Sequence, residues 1–415
     1  MRWIKPSRIA GRISAPPSKS ATIRATAAAL LADGVSEIIR PSFCDDARAG
    51  LGVAIGLGAR VVLGEKLVKI KGRGRPLKSV LDCRESGLCL RLFAPVAALG
   101  KKEMILAARG SLLARPVGVI EAPLSDLGVT CRSNGGFPPL TVRGPLRGGC
   151  TEFDGSLSSQ FLTGLLTALP VCDDDSELRV QNLQSRPYVD LTISVLARFG
   201  VTVSWDKGRD RFMVSGGQRF EPGSYEVEGD WSGAAFLLVA GAIAGRITVE
   251  RLAASSYQAD RGVLEALKAA GAVVSVQDAD VSVEAGDLKA FEFDATDCPD
   301  LFPPLAALAC FCDGRSVIRG VERLRHKESD RASAIVEEFA RIGSRLDIQG
   351  NVMAIHGGAL EGGTVNSRGD HRIAMAGAVA GLRATKGVRI EGPQVVSKSY
   401  PRFFDDLISV GGDIT

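Results

Sequence analysis

The densest ionic stretch of the chain is Arg323-Leu324-Arg325-His326-Lys327-Glu328-Ser329-Asp330-Arg331, and it leads into a helical pattern over 332–341. Lys327 and Arg331 stand four apart, on one face of a helix. Glu328 lies beside them, so a carboxyl group would sit within a cationic cluster. A solvated helix start explains many such runs, and that reading stays open here. Pro16-Pro17-Ser18-Lys19-Ser20 with Arg24 marks another helix start. Ser18 and Ser20 could serve only as caps and Lys19 as a solvated charge. The other reading is an anion site, with charge from Lys19, a hydroxyl from Ser20 and Arg24 one turn later on the same face. Ser156-Leu157-Ser158-Ser159-Gln160 places three hydroxyls and an amide before an apolar helix, more than one cap requires. Asp370-His371-Arg372 opens a further helix, Lys398 follows a strand in Val395-Val396-Ser397-Lys398, and Asp300 precedes a helix in Asp297-Cys298-Pro299-Asp300. Of Lys19, Arg24, Arg115, Lys327, Arg331, Arg372 and Lys398, five lie at turns or in the first turn of a helix. That is a setting for binding anions.

The elements that must position these groups form an internal repeat. A polar turn is followed by an apolar Ala/Leu run of helix length, then a Gly and a β-branched strand. The apolar runs fall at 21–31, 88–99, 161–169, 234–244, 305–310 and 373–382, and the strands at 35–39, 104–106, 177–180, 247–249, 316–318 and 388–390. A second helix follows, as at 193–199, 263–270, 335–342 and 404–410, and then a Gly-led strand at 200–203, 271–274, 343–346 and 411–414. The copies are spaced about 70 residues apart and read as β-α-β-α-β-β units. The sixth copy stops at Thr415 without a closing strand, while residues 1–13 have strand character and no unit of their own. The N-terminus is therefore expected to complete the last unit. Two domains follow, one of residues 1–15 and 228–415, the other of residues 16–227, three units each. Ordinary alternating punctuation of a doubly wound sheet is the plainer alternative. A buried helix carries free N–H groups and partial positive charge at its N-terminus. Three such helices per domain would frame an interdomain cleft suited to a multiply anionic ligand, and the active site is expected there.

Composition narrows the class. The 415 residues are 45% hydrophobic, 24% charged and only 6% aromatic, which suits globular domains with small aliphatic cores. A net charge of +4 does not suggest a nucleic-acid binder. Nine cysteines lack paired C-x-x-C spacing and there are three His, so no zinc site is read and reduced cytoplasmic thiols are expected. Motif residues begin by Pro16, so no signal or transit peptide is expected, and no uninterrupted apolar run reaches membrane-spanning length.

Five motifs in order carry a resemblance: Pro17-Ser18-Lys19-Ser20 with Arg24; Gly155 to Gln160 followed by Phe161-Leu162-Thr163; Ser185-Arg186-Pro187-Tyr188-Val189-Asp190; Lys327-Glu328-Ser329-Asp330-Arg331; and Asp370-His371-Arg372-Ile373-Ala374-Met375. Together they resemble the 5-enolpyruvylshikimate-3-phosphate synthases over nearly the whole chain. The resemblance implies an α/β fold, the two-domain inside-out α/β barrel of the enolpyruvyl transferases, built of six β-α-β-α-β-β units. It implies transfer of the enolpyruvyl group of phosphoenolpyruvate to the 5-hydroxyl of shikimate 3-phosphate, with release of phosphate by addition and elimination. The setting would be the shikimate pathway, in a cytoplasmic monomer that needs no metal or organic cofactor. Lys19, Ser20, Arg24, Ser158, Ser159, Gln160, Ser185, Tyr188, Asp300, Arg323 and Lys327 would contact shikimate 3-phosphate. Lys19, Gly87, Arg115, Gln160, Arg331, His371, Arg372 and Lys398 would contact phosphoenolpyruvate. Asp300, assisted by Lys327, would be the base and Glu328 the acid, with Lys19 also counted as catalytic.

Two positions depart from the family pattern. Glu85 stands where an Asn is usual, which adds negative charge near an expected phosphate, and Arg323 stands where many relatives carry Asn. Gly87 matches the glycine that gives phosphoenolpyruvate, and the inhibitor glyphosate, room. The sister transferases that act on UDP-N-acetylglucosamine carry a Cys in the loop before an Arg-Pro pair, and Gly110-Ser111-Leu112-Leu113-Ala114-Arg115-Pro116 has none. A non-catalytic anion binder would have lost the acids, but Asp300 and Glu328 are both present. No G-x-G-x-x-G opens a helix as a Rossmann-like site would require.

Overall fold

The computed structural model describes residues 1–72 and 74–415. The chain divides into two compact units, a terminal one of Met1–Pro16 with Glu228–Thr415 and a central one of Pro17–Val227. The central unit carries helices α1 (Lys19–Leu31), α2 (Asp45–Gly56), α3 (Gly87–Ala97), α4 (Glu121–Asp126), α5 (Gln160–Ala168) and α6 (Arg186–Arg198). The terminal unit carries α7 (Trp231–Ala244), α8 (Val263–Ala269), α9 (Phe302–Ala309), α10 (Arg331–Ala340), α11 (His371–Gly381) and α12 (Phe403–Ser409).

The repeat is real and its topology uniform. In the copy holding α5 and α6, Cys150–Asp154 pairs in parallel with Ser176–Gln181, and α5 is the crossover between them. Parallel neighbours need such a crossover; antiparallel ones need only a hairpin. After α6, the hairpin of Ser204–Asp206 and Arg211–Val214 adds two antiparallel strands. The sheets begun by Val80–Asp82 and Glu292–Asp294 have the same order and directions.

The N-terminal segment departs from expectation in one respect. Arg2–Ile4 does pair antiparallel with Val388–Glu391 in the sixth sheet, and Ile4 bridges to Ile414. Ile9–Ser14, however, pairs in parallel with Gly245–Glu250 and opens the fourth sheet. Likewise Ser224–Glu226, late in the central unit, pairs in parallel with Val35–Ile39 and opens the first. The first and fourth copies thus take their opening strand from outside their own stretch of sequence. The Gly-led strands are also corrected. Pairing begins at Ser204, Val273 and Arg345, two to four residues later than the glycines suggest. Gly200 explains the offset: at φ 78° it closes α6 in the left-handed region, so the chain must turn before it can extend.

Helices α1, α3 and α5 form the middle of the central unit; α7, α9 and α11 form that of the terminal unit. They are buried on nearly all sides, and α7 (WSGAAFLLVAGAIA) is almost wholly apolar, with Trp231 to Ile243 all buried. A helix buried to its tip must satisfy its first N–H groups from side chains. Ser18 Oγ accepts from Ala21 N at 3.3 Å and Ser86 Oγ from Cys89 N at 3.3 Å. Asp230 Oδ1 accepts from Ser232 N at 3.0 Å and Asp370 Oδ1 from Arg372 N at 2.9 Å. Among the described residues, no helix is long and apolar enough to cross a membrane.

Candidate active site

In the central unit two buried arginines tie the helix starts together. Arg24, 4% exposed, donates through Nε to Thr192 Oγ1 at 2.9 Å and through Nη1 to Ser20 O at 3.1 Å. Its Nη2 reaches Thr163 Oγ1 at 3.4 Å and Tyr188 O at 3.3 Å, and its guanidinium lies 5.9 Å from the Tyr188 ring. These hydrogen-bond acceptors are all uncharged. Burial pushes the Arg24 guanidinium down to about 10, which leaves it a cation at neutral pH. Arg91, buried in α3, donates to Gln160 Oε1 at 3.0 Å and to Pro116 O at 2.9 Å. It thereby fixes the first residue of α5 and the residue after Arg115.

The other central candidates surround these two. Lys19, the first residue of α1, donates from Nζ to Asp46 Oδ2 at 2.9 Å. Ser158 Oγ accepts from Gln160 N at 3.1 Å, and Ser159 is buried just before α5. Ser185 begins α6 at φ 57° and ψ 43°, a conformation uncommon outside glycine, and its carbonyl accepts from Tyr188 N at 3.0 Å. Arg115, buried, ends the 3₁₀ turn Gly110–Ala114. A Cβ placed on Gly87 would stand 2.7 Å from Arg91 Nη1 and 2.8 Å from Arg115 Nη1, so both guanidiniums lie against the start of α3. Glu85, just before α3, accepts from Ser111 N at 3.0 Å and from Ser111 Oγ at 2.9 Å.

The terminal unit is organised by one residue. Arg331, the first residue of α10, has no exposed side-chain surface. It donates through Nε to Asp370 Oδ2 at 2.9 Å, through Nη1 to Asp300 Oδ1 at 2.7 Å and through Nη2 to Glu328 Oε2 at 2.5 Å. The three carboxylates hold its pKa above the ordinary arginine value against the cost of burial. Asp300 also accepts from Arg372 Nη2 at 2.9 Å and lies 3.7 Å from Lys327 Nζ. Burial pushes the Lys327 ammonium down to about 8; Asp300 and Glu328 oppose this, Arg331 and Arg323 add to it. Arg323 is likewise lowered by burial, against the pull of Asp297 and Asp300. His371 is buried with Nδ1 3.9 Å from Asp370 Oδ1, and Lys398 Nζ donates to Gly369 O at 2.9 Å, next to the cap of α11.

Within the central unit, Lys19, Ser20, Arg24, Gly87, Arg115, Ser158, Ser159, Gln160, Ser185 and Tyr188 fall at or near the starts of α1, α3, α5 and α6. Within the terminal unit, Asp300, Arg323, Lys327, Glu328, Arg331, His371, Arg372 and Lys398 gather around the starts of α9, α10 and α11. Three residues escaped sequence reasoning. Asp46 reads as an ordinary acidic residue in a first helical turn. Arg91 sits inside an apolar run and shows itself only as a charge on a buried face. Asp370 reads as a cap and is also an ion-pair partner of Arg331. Chemically, each unit offers cations to anionic groups, and in the terminal unit two of the three carboxylates on Arg331, Asp300 and Glu328, are partly exposed and able to exchange protons.

The architecture is that of the enolpyruvyl transferases. A solved enolpyruvyl transferase from Streptomyces tendae matches with a TM-score of 0.80 at 16% identity, covering all of this chain and 98% of its own, a likeness of fold alone. The solved EPSP synthase from Acinetobacter baumannii matches with a TM-score of 0.84 at 25% identity, covering all of this chain and 99% of its own. The family model for EPSP synthase (3-phosphoshikimate 1-carboxyvinyltransferase) matches residues 4–407. The 3-phosphoshikimate 1-carboxyvinyltransferase of Aeropyrum pernix is 41% identical over 412 residues, 99% of this chain and 96% of its own. The protein of the same name from Clostridium kluyveri is 37% identical over 415 residues, 99% of this chain and 97% of its own. This chain belongs to the EPSP synthase family.

Proposed function

We propose that the chain transfers the enolpyruvyl group of phosphoenolpyruvate to the 5-hydroxyl of shikimate 3-phosphate, with Asp300 as base and Glu328 as acid. The observation that carries this reading is the junction at Arg331, where both acids are held by one fully buried guanidinium. In the addition step Asp300 takes the hydroxyl proton, the oxygen bonds to C2 of the enol, and Glu328 gives a proton to the methylene carbon. In the elimination step Glu328 takes a proton back from the methyl group, the C2–phosphate bond breaks, the double bond re-forms, and phosphate leaves with the proton from Asp300. Lys327 assists Asp300 from 3.7 Å.

Lys19, Ser20, Arg24, Ser158, Ser159, Gln160, Ser185 and Tyr188 hold shikimate 3-phosphate in this reading, with Arg323 and Lys327 on the side of the reacting hydroxyl. Arg24 supports it, since among the described residues its hydrogen bonds go to neutral acceptors. Lys19, Gly87, Arg115, Gln160, His371, Arg372 and Lys398 serve phosphoenolpyruvate. Arg331 is counted with them, and it also donates to Glu328 through Nη2 at 2.5 Å. The nine unbridged cysteines support a reducing compartment such as the cytoplasm. The chemistry moves protons and phosphate but no electrons, so the reading calls for no redox cofactor.

Phosphate release from phosphoenolpyruvate tests the proposal, with shikimate 3-phosphate and UDP-N-acetylglucosamine as acceptors in parallel. Release with shikimate 3-phosphate alone is expected. Release with the nucleotide sugar alone would refute the acceptor, and silence from a folded sample that binds phosphoenolpyruvate would refute catalysis.

A further inference from the structure

Glu85 stands at the point where a strand ends and α3 begins. Val80–Asp82 pairs in parallel with Met104–Ala107. The backbone pairing runs on past both strands, with Cys83 N donating to Ala107 O at 2.9 Å and Arg109 N to Arg84 O at 2.7 Å. There it must stop, because Ser86 turns away to cap α3. The next donor along the neighbouring segment is Ser111 N. The Glu85 carboxylate meets it at 3.0 Å and takes the Ser111 hydroxyl at 2.9 Å with the same oxygen, Oε2. A side-chain acceptor thus continues a ladder that the backbone cannot.

Gly110 is built around this contact. Its φ of +50° lies in the left-handed region, and a Cβ added there would stand 2.4 Å from the carboxyl carbon of Glu85 and 2.6 and 2.7 Å from its oxygens. Only a residue without a side chain lets the carboxylate reach Ser111. The segment held in this way is the single turn Gly110–Ala114, closed by Arg115 N donating to Leu112 O at 3.1 Å. Its far end is held by Arg91 through Pro116 O at 2.9 Å. Between the two anchors lies Arg115, its guanidinium against Gly87.

We infer that Glu85 is a positioning residue which, by gripping Ser111, sets the turn that delivers Arg115 to the anion it binds. The inference rests on the reading of Arg115 as a phosphoenolpyruvate ligand. Its content is that the extra carboxylate works as a hydrogen-bond acceptor for the turn, not as a charge presented to substrate. The two roles predict opposite results. A glutamine keeps an acceptor oxygen and loses the charge; an alanine loses both.

The test compares Glu85→Ala and Glu85→Gln with the parent chain, with each substrate varied in turn. Glu85→Ala is expected to raise KM for phosphoenolpyruvate about tenfold, with kcat and KM for shikimate 3-phosphate within about twofold. Glu85→Gln should stay within about twofold of the parent on every constant. Hydrogen exchange at the amides of Ser111 to Arg115 provides a readout free of catalysis, faster in the alanine variant and unchanged in the glutamine variant. An alanine variant with parental KM and parental exchange overturns the inference. So does a fall in KM for phosphoenolpyruvate in both variants, which would mean that the charge repels the substrate. If the parent chain transfers nothing, the proposed function fails, and the exchange comparison alone still decides whether Glu85 holds the turn.

Discussion

Replacing Arg331 with methionine removes the cation on which three carboxylates converge while keeping most of the side-chain volume. The magnitude follows from what each acid retains. Asp370 has no exposed side-chain surface and loses contacts at 2.9 and 3.3 Å, but keeps Arg372 N at 2.9 Å and Ser329 Oγ at 3.2 Å. Asp300 is 29% exposed and keeps Arg372 at 2.9 Å. Glu328 is 15% exposed. Breaking a buried ion pair by removing one partner costs about 3–5 kcal/mol, mostly through the charge left behind. Here that charge is chiefly Asp370, and its two remaining donors put the expected loss near the lower bound, about 3 kcal/mol. The assay is urea unfolding followed by circular dichroism. The second arm is Arg331→Met with Asp370→Asn, since asparagine caps a helix about as well as aspartate and carries no charge. The double variant should recover about 2 kcal/mol of the loss. A loss under about 1 kcal/mol for Arg331→Met, or no recovery in the double variant, would refute the claim that Asp370 depends on Arg331.

Asp300→Asn and Glu328→Gln should each lower kcat by about 10²–10⁴-fold, with circular dichroism and substrate binding unchanged; a variant that keeps parental turnover removes its residue from the proton transfers. Burial lowers Lys327 to about 8, so its positive charge is present below that pH and lost above it, and kcat/KM should fall as pH rises through about 8. Lys327→Arg, whose guanidinium stays protonated, should move that limb to higher pH; an unmoved limb assigns it to another group. In Gly87→Ala the new Cβ meets the flexible ends of Arg91 and Arg115, which can give way. KM for phosphoenolpyruvate should therefore rise several-fold with thermal stability little changed, and an unchanged KM would mean that neither guanidinium reaches the substrate.

The local repeat was legible in the sequence because it is written in composition. A helix buried on all sides is mostly apolar, so α7 and the second half of α1 announce themselves as Ala/Leu-rich runs, and a buried helix start needs polar partners, so Ser18, Asp230 and Asp370 announce its position. Exchange of strands between ends of a unit is not written that way. Ile9–Ser14 and Ser224–Glu226 look like any short strand, and only the vacant parallel edge beside Gly245–Glu250 or Val35–Ile39 determines where each one pairs. The charged candidates were readable as types at helix starts. Their partners were not, because Arg24 to Thr192 and Arg331 to Asp370 span 168 and 39 residues, and nothing local marks the far partner.

The same distinction separates the states of the two buried arginines, which sequence treats alike. Arg331 already has its countercharge: burial pulls its pKa down, and three carboxylates of its own unit outweigh that pull and raise it. Arg24 has neutral acceptors, and burial does depress it, to about 10. An anion that comes to Arg24 would relieve a cost the fold already carries, and the described hydrogen-bond partners it meets there are neutral. An anion that comes to Arg331 meets a guanidinium that already donates to Glu328 and Asp300 at 2.5 and 2.7 Å. Buried cations of equal formal charge are therefore unequal as ligand sites. In the proposed reading, an anion at Arg24 would meet a guanidinium whose hydrogen bonds go to neutral acceptors, while one near Arg331 would meet a guanidinium already shared by the two acids of the proposed chemistry.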